Sequence, residues 1–185
     1  MGTRLAPWSV PDLVTVHPDM TAGMLADNLE TLKDMALLLA DYLKSQEDLM
    51  LSERVGDMGS LAFRCALTVE RVRAGNISPG KRFEGVDAEG LARIRKQYAL
   101  SLSKQLSQLQ IVWTRLKKHG VVPNDKNEYH KLKIPDHDWT QRVHRLMGHV
   151  RQSVEEWSRL LAAEEALNAH RKDDPLHGYR QVISG

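Results

Sequence analysis

Over most of its length the chain repeats apolar residues at alternating steps of four and three, and that spacing constrains its fold more than any other feature. Leu25, Leu29, Leu32, Ala36, Leu39 and Leu43 form the first stripe, behind Asp19 or Thr21 as a helix cap. Residues so spaced share one face of an α-helix, whereas a strand would need a period of two. Val55, Met58, Ala62, Cys65, Val69 and Val72 resume the spacing in a different phase, with Gly56 and Gly59 at the change. Each glycine costs about 1 kcal/mol relative to alanine inside a helix. A kink or short break at 56–59 is therefore expected, in one bent helix or two consecutive ones, ended by Gly75-Asn76.

The stretch NISPGKRFEGV reads as a loop, and Asp87 can cap the helix that follows. That helix carries Ala99, Leu102, Leu106, Leu109, Trp113 and Leu116, preceded by Leu91, Ile94 and Tyr98 in a neighbouring phase. Lys117, Lys118 and His119 suit its last turn, and Gly120 its end. After a polar connection to Pro135, Asp136 or Asp138 opens a last helix with the stripe Trp139, Val143, Leu146, Val150, Trp157, Leu160 and Leu167. Met147, Val154 and Leu161 widen it, and Ser153 and Glu164 interrupt it. A broad, interrupted stripe suits a helix with two neighbours better than a two-stranded coiled coil.

The fold class is therefore all-α: an elongated antiparallel three- or four-helix bundle, built from three long helices of which the first is bent. The bundle domain spans 19–171. An irregular N-terminal arm, broken by Pro7, Pro11 and Pro18, covers 1–18, and a C-terminal tail with Pro175 and Gly178 covers 172–185. With 12 Gly and 7 Pro in 185 residues the chain is too poor in turn formers for a sandwich or barrel.

The single cysteine, Cys65, leaves no intramolecular disulfide and no cysteine-based zinc site. No signal-peptide core precedes the first helix, Ala6 breaks a myristoylation pattern, and the longest apolar run covers only 35–40. An intracellular, cytoplasmic protein with no membrane contact is expected, the nucleus being left open. Asn76-Ile77-Ser78 is then a glycosylation pattern without a transferase to meet it.

Charge is polarised along the chain. Residues 1–60 hold four Lys and Arg against ten Asp and Glu, whereas 61–134 hold fifteen against six; the formal net charge of +2 conceals this. The basic middle includes Arg71, Arg73, Lys81, Arg82, Arg93, Arg95, Lys96, Lys117 and Lys118. These are the candidate contacts for a partner or for nucleic acid. The plainer reading is that the acidic first helix and the basic helix of the middle segment face each other, within the fold or across a symmetric dimer. No aromatic residues interleave the basic cluster as single-strand binders require.

Searches for chemistry return little. His137 and His144 share a helical face, but their spacing of seven and the lack of a glutamate between histidines do not suit a zinc site. Arg142 with His149, and Arg171 with His177, match the arginine-to-histidine spacing of helical ribonucleases. Fifteen Arg and eight His yield about two such pairs by chance. The segment LARIRKQYALS looks like the first helix of a helix-turn-helix, yet Ile111-Val112 continues the stripe where the turn should fall. No glycine-rich phosphate loop, nucleophile elbow or paired-carboxylate pattern is present.

The expectation is a non-enzymatic protein-interaction subunit, an adaptor or assembly factor in an oligomer or larger complex, with no cofactor, metal or small-molecule substrate. The alternative is a nucleic-acid-associated helical protein that binds phosphate backbone through its basic middle segment.

Overall fold

The computed structural model describes residues 16–45, 49–118 and 137–173. Four helices make up nearly all of them: α1 (Ala22–Ser45), α2 (Leu49–Arg73), α3 (Ala88–Lys118) and α4 (His137–Asp173). A single 3-10 turn, Lys81–Phe83, lies between α2 and α3. At 1.5 Å per residue, α3 and α4 run about 46 and 55 Å.

The helix boundaries follow local chemistry. Thr21 caps α1, its Oγ1 accepting from the Met24 amide at 3.2 Å. Asp87 caps α3, its Oδ1 accepting from the Gly90 amide at 2.8 Å. At the end of α2 the chain turns left-handed at Gly75, with φ of 70°. There the Gly75 amide bonds the Val72 carbonyl at 3.1 Å and the Asn76 amide bonds the Arg71 carbonyl at 2.9 Å. Two such bonds around a positive-φ glycine close the helix and satisfy carbonyls that would otherwise be orphaned.

One expectation is corrected. Helix does not break at 56–59: Gly56 and Gly59 sit inside α2, and the interruption falls between Ser45 and Leu49. Among the described residues the bundle has four helices, the form with two consecutive helices that the sequence also allowed, and only the place of the break differs. The reason is burial: only a chain reversal lets the two stripes, which differ in phase, cover each other. The glycine cost is small beside the burial of Met58, Leu61, Ala62 and Cys65.

Side-chain pairs fix the directions. Arg73 near the end of α2 reaches Asp27 and Glu30 near the start of α1, so these helices are antiparallel. Arg95 meets Glu164, and Ser153 donates to Gln105, so α3 and α4 are antiparallel too. Each long helix packs closely on its hairpin mate, and α4 also lies against α1 and α2. The core runs through all four helices, with Leu29 and Leu32 from α1, Met58 and Cys65 from α2, Leu91 and Leu102 from α3, and Met147 and Trp157 from α4. Phe83 of the 3-10 turn joins it.

Polar groups inside the core are mostly turned back on their own helices. Thr31, Thr68 and Ser158 bond the carbonyls of Asp27, Arg64 and Val154 respectively. Of the expected arm only 16–18 is described; it is not helical, and Val16 packs on the core. The expected tail lies outside the described residues apart from 172 and 173, which belong to α4, and the connection over 119–136 lies outside them entirely.

Candidate interaction surface

The nine cations singled out from the sequence divide into three groups. Arg73, Arg82 and Arg95 are engaged within the fold. Arg73 donates to Asp27 at 2.9 Å and Glu30 at 2.6 Å, and these bonds raise its pKa above the usual guanidinium value, Glu30 contributing most. Arg82 donates to the Tyr98 hydroxyl at 3.1 Å and to Glu156 at 3.0 Å, and its pKa is raised in turn, Tyr98 first. Arg95 donates to Glu164 at 3.0 Å from a half-buried position on α3.

Arg71, Lys81, Arg93 and Lys96 are exposed, and none has an ion-pair partner among the described residues. Lys117 and Lys118 close α3, and their side chains lie outside the described residues. The structure thus does not gather the nine into one patch. Arg71 lies at the end of α2, Lys81 in the 3-10 turn, and only Arg93 and Lys96 share a helical face.

That face has members the sequence search missed. Arg93, Lys96, Leu100, Lys104, Ser107 and Ile111 recur at steps of three and four along α3, and all are exposed. They lie opposite the buried stripe of Leu91, Ala99, Leu102, Leu106 and Leu109. Leu100 is 68% exposed and Ile111 56%, among the largest exposures of any big apolar side chain described. From Arg93 to Ile111 the face spans about 27 Å. The signal was present in the sequence: Leu100 and Ile111 are eleven residues apart, three helical turns, and both fall out of phase with the stripe.

Opposite charges do meet inside the fold, but not as a pairing of the first helix with the basic one. The acidic residues of α1 meet Arg73 of α2, while the described ion pairs of α3 and its approach run to α4. From Arg93 to Ile111 the outer face of α3 carries three cations, Arg93, Lys96 and Lys104, and its one carboxylate, Glu89, lies a turn before Arg93. On α1, Asp27, Glu30, Asp34, Leu37 and Asp41 fall on one stripe, with Leu37 43% exposed, but Asp27 and Glu30 are taken by Arg73 and Asp34 by Lys33.

The other candidates resolve simply. Among the described residues no three His, Cys, Asp or Glu side chains lie close enough to hold a metal ion, and no helix is long and apolar enough to cross a membrane. α3 runs unbroken through Ile111, so there is no helix-turn-helix in it. Cys65 is buried between α1, α2 and α4; desolvation pushes its thiol up to about 12, against a smaller downward pull from Arg151 and Lys33. Arg142 and His149 are both exposed on α4. Compared with models of protein families, with curated proteins and with solved structures, the chain matches none.

Proposed function

We propose that this chain is a non-enzymatic helical interaction subunit that docks an acidic, partly apolar protein surface onto the outer face of α3. The observation that carries the reading is the exposure of Leu100 and Ile111 between Arg93, Lys96 and Lys104. A lone exposed leucine needs no explanation, but two large apolar residues on one straight stripe, ringed by unpaired cations, suit an amphipathic helix of opposite charge. Apolar contact supplies the affinity and the cations select the partner and its orientation.

A phosphate backbone is served less well by this arrangement. Three of the nine cations are occupied by carboxylates of the same chain, and the exposed remainder are scattered over α2, the 3-10 turn and α3.

Light scattering of the purified chain, alone and with proteins captured on it, tests the reading. A dimer or a defined complex is expected, and it should be lost in Leu100→Glu/Ile111→Glu, whose substitutions touch no buried residue. A monomer that captures nothing would overturn the reading. So would binding of nucleic acid that weakens steeply with salt and survives the double substitution.

A further inference from the structure

A cleft between α2 and α4 is lined mainly by polar side chains. It is a half-open groove of about 300 Å³, lined by polar residues except at Leu61 and Gly148, with Ser60, Arg64, His149 and Gln152 exposed to solvent. Ser60 and Arg64 project into it from α2, and His144, His149, Arg151 and Gln152 from α4. Every one of these side chains can donate a hydrogen bond: a guanidinium fork at two positions, an imidazole N–H at two, an amide and a hydroxyl.

The acidic groups nearby are already committed. Asp57, the one carboxylate lining the cleft, is bonded by Arg54 at 2.5 Å. Glu155 is bonded by Arg151 at 2.6 Å and by Arg159 at 3.4 Å. Arg151 is thereby engaged as well, so the donors of the cleft left without a carboxylate among the described residues are the Arg64 guanidinium and the His144 and His149 rings.

Gly148 also lines the cleft. It sits in the middle of α4, where glycine costs about 1 kcal/mol relative to alanine. A Cβ built there meets nothing within 4 Å, so close packing does not require glycine. What its absent side chain does is leave the cleft open between His144 and His149.

We propose that this cleft binds the phosphate group of a small molecule. A phosphate presents several oxygens, each able to accept more than one bond, to donors that converge from two helices, and guanidinium groups match that geometry. The volume of the groove is near the lower end of small-ligand sites and exceeds a single phosphate. A diphosphate or a phosphate ester fits this description, and the phosphate is the part that the protein recognises. This binding site is separate from the outer face of α3 and does not depend on the docking reading.

Calorimetry and NMR of the full chain test it, with pyrophosphate, ADP and adenosine as probes. Pyrophosphate and ADP should bind saturably with one site per chain and shift the ring protons of His144 and His149, whereas adenosine should do neither. ADP binding more tightly than pyrophosphate would mark an ester as the ligand, and the reverse order a free diphosphate. Arg64→Gln should weaken binding about tenfold or more, through loss of a charge-assisted bond. Gly148→Leu should weaken it at least as much by filling the cleft. Arg93→Gln, on the far face of α3, should change it less than twofold. Non-saturable binding, adenosine binding as well as ADP, or equal loss in Arg64→Gln and Arg93→Gln would each overturn the proposal. Should Gly148→Leu fail to fold, Arg64→Gln against Arg93→Gln still decides the matter.

Discussion

The two hairpins of the bundle are held in different ways. α1 and α2 meet along a closely packed apolar seam, and α1 is buried around most of its circumference. Leu25, Leu29, Leu32, Ala36 and Leu39 form its central stripe, with Asn28, Met35 and Tyr42 beside it. α3 instead buries one narrow stripe against the bundle, and its contact with α4 is edged by Arg95 with Glu164 and Gln105 with Ser153. The contrast shows where stability and availability reside. A helix surrounded by neighbours has little face to offer, whereas a helix attached along one side keeps the other for a partner.

Truncation inside the core should break or support this contrast most strongly. Leu32 and Leu102 are both fully buried, on α1 and α3. Leu32→Ala is expected to cost about 3–5 kcal/mol in denaturant unfolding and Leu102→Ala nearer 2–3 kcal/mol, because fewer neighbours surround α3. Equal costs would mean that α3 is as deeply anchored as α1.

Cys65 reports on the α1–α2 seam directly. Labelling of its thiol at pH 8 should be at least about a hundredfold slower in native protein than in urea, since the buried thiol is held neutral and out of reach. The sign of the pH effect follows from the raised pKa. The native state favours the neutral thiol, so its contribution to stability is complete below about pH 9. It is lost as pH rises from there towards about 12. Cys65→Ala should flatten that part of the stability profile.

The α3–α4 edge is expected to give a smaller effect. Arg95 Nε and Glu164 Oε1 are buried atoms without a hydrogen-bond partner, beside the single bond that joins the two side chains. Only one of the two bonds a guanidinium fork can make to a carboxylate is formed. A double-mutant cycle with Arg95→Met and Glu164→Met should give a coupling near 1 kcal/mol, each single change costing more than its share of the pair. No coupling would remove the polar edge from the account of how α3 is held.

Smallest, and opposite in sign, are the glycines. Gly56→Ala and Gly59→Ala should each raise stability by about 0.5–1 kcal/mol, because no atom lies within 4 Å of the added Cβ. At Gly75 and Gly85, where φ is positive, the same change should destabilise.

Much of this architecture was legible residue by residue. The stripes of α1 to α4, a cap of α1 at Asp19 or Thr21, the cap at Asp87 and the stop at Gly75-Asn76 all follow from side-chain spacing and from backbone groups within a few residues of one another. The position of the chain reversal was not legible, because the glycines offered a plausible local break. Where the turn falls is decided by which pairing buries both apolar stripes, a comparison between distant segments. The site residues divide in the same way. That Arg93 and Lys96 are exposed cations could be read from their phase on α3. That Arg73, Arg82 and Arg95 are spent on carboxylates 43 or more residues away in sequence, or 69 or more for the last two, could not.

By itself, then, the sequence determined an all-helical chain, the faces its helices bury and the polarised distribution of its charge, because helix period and capping act over a few residues. Only the tertiary structure decided which charges neutralise each other, that the outer face of α3 is left cationic and apolar, and that His144, His149 and Arg64 line one cleft. Those outcomes depend on which helices become neighbours and in which direction they run. That is set by burial summed over whole helices, and no single segment carries it.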